Sequence, residues 1–311
     1  MAPSDVAGVF SRYFIVGFFL PAFFALVGLS QTLPDPFLPT SYRDLSGGAQ
    51  IAVLGGAGLL LGLLLVGLNW QIFRLYEGYP LAERKDRLIT GLFYRLFVAR
   101  QRVIFKRLET TRDNDSADNE ARGRAAWRLD RDFPPSSSDL MPFRFGNAVL
   151  AFETHAMKRW GLDSIAAWPR IDMLLSEREG EQQANSRSEA AFFVNGSLLL
   201  FLAGFLLLAG QIAHSPLSGL ALLLYFAPFL GAALMTHWSV GAATRWGNAV
   251  RSAIDLHRFE LYEKLGVRQP VSFTDERECV AAQINQMLVY GQPIPDTYFA
   301  AQPTQYPKEQ E

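Results

Sequence analysis

Hydrophobic residues in this chain are gathered into runs rather than spread evenly. Four stretches, Tyr13 to Leu29, Ile51 to Trp70, Ala191 to Gly210 and Leu217 to His237, are almost free of charge. Each is roughly 17 to 21 residues long, which at about 1.5 Å per residue matches the ~30 Å hydrocarbon core of a bilayer. Segments such as "LGGAGLLLGLLLVGL" and "GSLLLFLAGFLLLAG" are apolar on every face, whereas a core helix of a soluble protein keeps a polar stripe. The pattern predicts four transmembrane helices. Arg12 and Pro21 interrupt the first; its basic flank is thin and no small-x-small site follows Gly28, so it is expected to stay as an anchor. Pro21 and Pro228 are expected to kink their helices. Gly58 and Gly62 form a GxxxG pair, and Ala227 with Gly231 a small-xxx-small pair; such faces let helix backbones approach closely, within one chain or between chains.

Between and after these runs the period changes. Leu92, Phe93, Leu96, Phe97, Val103, Ile104 and Leu108 recur at helical spacing, interleaved with Arg95, Arg100, Arg102, Lys106 and Arg107. A basic amphipathic helix close to a membrane suits an anionic lipid surface, each nearby cation contributing about 1 kcal/mol; packing into a helical bundle with solvated cations is the alternative. A polar stretch near 110–142, punctuated by Pro134-Pro135-Ser136-Ser137-Ser138, reads as a long loop with a short helix near Ala121 to Leu129. Asn147 is placed to cap a helix reaching Trp160 and ended by Gly161; Asp163 is placed to cap a second, which Pro169 breaks. Glu153 and His155, two residues apart, point in nearly opposite directions on a helix. This segment reads as a structural joint. A helix from about Gly241 to Leu265 aligns Trp246, Val250, Ile254, His257 and Leu261 on one face, with Glu260 in reach of His257. Thr274 is placed to cap a last helix ending near Gly291, and the Pro- and Gln-rich remainder reads as a tail.

Charge then sets the threading. The 311 residues are 50% hydrophobic and 19% charged, with a net charge of -1. Arg74, Arg84, Lys85, Arg87, Arg178, Arg187, Arg245 and Arg251 flank one side of the runs, while "SQTLPDPFLPTSYRDLSGGAQ" holds Arg43 alone and "QIAHSPLSG" holds no Lys or Arg. Positive charge stays inside. The expected protein is an all-α integral protein of the cytoplasmic membrane with four transmembrane helices in two hairpins, both termini inside, and a cytoplasmic helical bundle. Its segments are 1–70, first hairpin; 71–189, cytoplasmic helices; 190–238, second hairpin; and 239–311, C-terminal helices and tail. Tyr13, Trp70 and Trp238 would mark the inner interface. Cys279 is the only cysteine, so an internal disulfide is excluded.

The runs hold no Asp, Glu, Lys or Arg near their centres, which counts against ion-coupled transport. The sequence lacks GxxxxGK[ST], HExxH and GxSxG patterns. No cofactor or metal is expected, and nothing accompanies the positive charge to suggest nucleic acid. "FRLYEGYP", "GLDSIAAWPR" and "AIDLHRFELYEKLG" together resemble a group of bacterial four-helix membrane proteins with a split cytoplasmic helical domain. The resemblance runs from the second span to the last helix; it implies that same architecture and brings no activity with it. The expected function is a non-enzymatic docking or assembly component, whose partners are the bilayer and either further copies of itself or another membrane or cytoplasmic protein. A signal-gated, channel-like effector is one alternative. The other is an enzyme at the lipid surface using Glu153, His155, His257 or Glu260.

Overall fold

The computed structural model describes residues 11–33, 39–214 and 219–299, the side chains of 211–214 and 219–224 excepted. Among these residues the regular elements are helical, apart from one antiparallel bridge between Val267 and Phe299. Three helices are long and apolar enough to cross a membrane: α1 (Arg12–Thr32), α2 (Gly47–Gly67) and the stretch Glu177–Gly210 of α9 (Glu177–His214). Between α2 and α9 come α3 (Asn69–Glu77), α4 (Leu88–Asp113), α5 (Asn119–Asp132), α6 (Arg144–Glu153), α7 (His155–Trp160) and α8 (Ser164–Asp172). The fourth apolar run falls in α10 (Gly219–Lys264), and its first residue, Leu217, lies outside the described residues. After a π turn at Glu276–Val280, α11 (Ala281–Tyr290) closes the fold.

The long helices α9 and α10 run antiparallel. Ser197 Oγ donates to Ala232 O (2.9 Å) and meets Thr236 Oγ1 at 2.7 Å; further along, Arg245 pairs with Glu189 and His257 with Glu179. At the apolar end a Cβ on Gly204 would sit 2.8 Å from the Phe229 ring, so only glycine admits that ring. Gly231 faces Leu200, whereas Ala227, one turn earlier, is exposed in the single chain. Gly58 and Gly62 lie against α1, where a Cβ on each would come within 3.3 Å of Phe23 and Phe19. Outward from these contacts Leu60, Leu64, Phe205 and Leu230 are all more than half exposed, the arrangement expected where the surroundings are as apolar as the side chains.

The proline in α1 has a specific partner. Pro21 has no N–H to offer Gly17 O, one turn before it, and the helix eases into a π turn over Ile15–Phe19. Asn195, fully buried on α9, donates from Nδ2 to that same oxygen at 2.8 Å. Asn195 is thus a tie between α1 and α9.

Several boundaries differ from those read in the sequence. Helix α10 continues through Gly241 without a break, so no separate helix begins there. The short helix expected near Ala121 to Leu129 is longer, since α5 runs from Asn119 to Asp132 and Ala125, Leu129 and Asp132 bury a narrow face at helical spacing beneath a charged exterior. Helix α6 begins at Arg144. Asn147 is its fourth residue, and its amide clamps the preceding turn through Met141 N (2.8 Å), Met141 O (2.9 Å) and Phe143 O (3.1 Å). Pro169 sits inside α8 rather than ending it, and the last helical run is capped by Ser272, not Thr274.

Two cores result. The larger joins the polar ends of α1 and α2 to α6–α11 around Phe18, Phe73, Phe145, Phe152, Ile254 and Tyr262. The smaller holds α4 to α5 through Val98, Phe105, Leu129, Phe133 and Leu140.

Replacing Asn195 by Ala is expected to cost about 0.5–2 kcal/mol of stability in detergent. In a Pro21→Ala background, which restores the backbone donor, the cost should shrink. Equal losses in both backgrounds, read by thermal unfolding, would refute the link between the proline and the asparagine.

Candidate functional site

The segment from Phe143 to Asp172, rich in carboxylates, a histidine and aromatic rings, divides its polar residues between two places. Thr154 separates α6 from α7 and sends Glu153 and His155 apart. His155 Nε2 lies 3.1 Å from Asp255 Oδ1 on α10, and Trp160 Nε1 donates to the same oxygen at 2.6 Å. The Arg258 guanidinium stacks 3.7 Å over the Trp160 ring and donates to Glu276 at 2.8 Å; Tyr262 donates to Glu276 at 3.2 Å. Asp163 caps α8 by accepting from Ala166 N, and Asn285 of α11 straddles the turn, donating to Gly161 O and accepting from Asp163 N, each at 2.8 Å. Asp172 is exposed at the end of α8. The network locks the ends of α7, α8, α10 and α11 together.

Glu153 turns instead toward α3. Gly146 presses so closely on the α3 terminus that a Cβ would fall 2.1 Å from Glu77 O. The Glu77 carboxyl is pushed up to about 7, first by burial and then by the charge of Glu153, with Arg74 pulling the other way. Burial raises Glu153 as well. Arg74 is engaged with Glu83 and lies over the rings of Trp70 and Tyr79.

His257, the remaining candidate on α10, meets Glu260 at 3.1 Å and Glu179 at 3.2 Å. Among the described residues no group of three or more His, Cys, Asp or Glu side chains is arranged to hold a metal ion. Four surface cavities, the largest about 710 Å³, are lined by none of Glu153, His155, His257 and Glu260.

A different arrangement surrounds α4. Gly91, Val98, Gln101 and Phe105 bury one face against α5 and the loop before α6. On the opposite face, within about 140° of arc at 100° per residue, Leu88 is 91% exposed, Leu92 68%, Leu96 62% and Val103 69%; Ile89 and Phe93 extend the stripe. Arg95, Arg102 and Lys106 border it on one side and Arg100 and Arg107 on the other, all exposed. None of the five makes an ion pair among the described residues, whereas on α5 and at the end of α4 Arg112, Arg122, Arg124 and Arg131 each have a carboxylate. The helix is therefore packed and open at once, on opposite faces. The inner face was legible in the seven-residue spacing of Gly91, Val98 and Phe105, hidden beneath the more numerous outer residues.

No family model matches the sequence, and neither curated proteins nor solved structures give a match; the functional reading rests on this geometry.

Glu77 supplies a pH test. Its folded pKa stands above its ordinary value of 4.5, so ionisation works against the fold: stability falls as pH rises through about 7 and levels off above, by roughly 3 kcal/mol in all. Glu77→Gln should raise the thermal midpoint at pH 8 and flatten its dependence between pH 4.5 and 7. An unchanged midpoint at pH 8 would mean that Glu77 is already solvated.

Proposed function

We propose that this chain is a non-enzymatic docking or assembly component of the cytoplasmic membrane, with its helical domain held flat on the anionic inner surface by α4. In this reading α1, α2, α9 and the first half of α10 cross the bilayer as two hairpins, with both termini inside. The clustering of Arg and Lys beyond α2, in the polar first part of α9 and along the second half of α10 supports that direction. The observation that carries the proposal is the open face of α4, an apolar stripe bordered by five cations that make no ion pair among the described residues. Apolar side chains enter the lipid boundary while flanking Arg and Lys reach for phosphates, so the two halves of the pattern are met by one surface. Second copies of the chain would cover the stripe but leave the bordering cations facing one another.

A nitroxide attached to Leu92→Cys in a Cys279→Ser background tests the contact. In vesicles containing an anionic lipid it should collide more with oxygen than with a water-soluble nickel chelate. Changing Arg95, Arg100, Arg102, Lys106 and Arg107 to Gln should reverse that preference, as should salt in part. A probe equally open to nickel in both proteins would sink the lipid contact; protection that grows with protein density would indicate a second copy. The docking role has its own readout: gentle extraction from native membranes should recover another protein at a fixed ratio, and a lone monomer would count against it.

A further inference from the structure

The concavity between α4, α5 and α10 gathers three arginines without an ion pair among the described residues, and the one carboxylate in its lining, Asp132, is taken by Arg131. A cavity of about 560 Å³ is walled by Val103, Ile104 and Val240 on its apolar side and edged by Arg107, Arg128 and Arg144. Arg144, at the first residue of α6, also lines an adjoining cavity of about 490 Å³ with Phe193, Trp238 and Arg245. The other charges nearby are already matched. Asp132 receives Arg131 through Nε (2.6 Å) and Nη2 (2.9 Å), and Arg245 is held by Glu189. That leaves Arg107, Arg128 and Arg144, three exposed guanidinium groups without ion pair or hydrogen bond among the described residues, around one hollow. Like charges so placed repel one another, and a dianion or monoanion between them removes the repulsion while offering acceptors to planar donor forks.

We propose that Arg107, Arg128 and Arg144 form a binding site for a phosphate-bearing anion beside the middle of α10. The volume suits a headgroup-sized ligand. The wall of Val103, Ile104 and Val240 suits something apolar attached to the phosphate, and Trp238 and Phe193 stand beside it. Those features favour the phosphodiester of an anionic lipid over free phosphate. The assignment to lipid rests on the membrane reading of α4 and α10; the anion site does not.

The test uses the full chain, stripped of lipid in detergent, with three probes: a short-chain phosphatidylglycerol, the matching phosphatidylcholine and inorganic phosphate. Native mass spectrometry counts adducts and thermal unfolding reports stabilisation. Phosphatidylglycerol should bind and raise the midpoint, with phosphatidylcholine weaker by roughly tenfold or more, a difference of about 1.4 kcal/mol. The double variant Arg128→Gln, Arg144→Gln should lose that preference, and Arg128→Lys, Arg144→Lys should keep part of it. Because both side chains are exposed and unpaired, the variants should unfold at the wild-type temperature when no lipid is present; if one does not fold, Arg107→Gln carries the same comparison. Displacement of phosphatidylglycerol by millimolar inorganic phosphate would sustain the site and assign it to the free anion. Equal binding of the two lipids, or binding indifferent to the Gln variants, would overturn it. Changing only Arg95, Arg100, Arg102 and Lys106 to Gln separates the two proposals: it should loosen α4 from vesicles while leaving the adduct in detergent intact.

Discussion

The antiparallel contact of α9 with α10 is the constraint on which the rest of the fold depends. Each of these helices is apolar on all faces over one half and strongly polar over the other, so neither could be satisfied by a single solvent. Pairing them in one register sets both changes of character at the same level. Small and aromatic side chains mesh at one end, at Gly204 and Phe229; hydroxyls meet in the middle, at Ser197 and Thr236; ion pairs take over beyond, at Glu189 with Arg245 and Glu179 with His257. Helix α1 then joins through the carbonyl that its proline leaves open, and the short helices α6 to α8 and α11 assemble on the polar half of α10.

That polar half shows why a cluster of reactive residue types need not be a reactive site. His155, Asp255, Trp160, Arg258, Glu276 and Tyr262 form a chain of contacts in which each polar group is spent on its neighbour. Burying such groups is costly unless they are paired, and pairing them specifies how four helix ends meet. The stretches "GLDSIAAWPR", "AIDLHRFELYEKLG" and "FRLYEGYP" meet here, the first two brought together by α7 and its contacts to Asp255. The third, "FRLYEGYP", is the segment on which Gly146 rests.

The legible parts of the sequence were those governed by local physics. Runs apolar on all sides stand out because they answer to a solvent, and the density of Arg and Lys on α4 stands out because it answers to no nearby acid. What stayed hidden depended on distant residues. Asp255 lies about a hundred positions from His155, so nothing local announced their contact. Asn147 looked like a cap because its residue type is right; the loop it clamps, from Met141 to Phe143, folds back in a way visible only in three dimensions. Helix α5 was read too short for another reason, since its buried face is only Ala125, Leu129 and Asp132 wide. The five cations of α4 were named from sequence, but their freedom from carboxylates was not, and Arg128 and Arg144 had drawn no notice because each stands alone in a mixed-charge context.

The separate core of α4 and α5 gives the molecule an internal seam. The hairpin packs on α6, meets Phe143 through the Phe97 ring, and is tied to α7 and α10 by Asp130, whose carboxylate holds Lys158 at 2.8 Å and whose carbonyl accepts from Arg251 at 2.8 Å. The Lys158–Asp130 pair is about half exposed on both sides, and such a pair contributes about 0–1 kcal/mol. A unit with its own apolar centre and few polar ties to the body can move as one piece. The open face of α4 travels with it, so that the apolar stripe and its bordering cations keep their mutual arrangement whatever the body does.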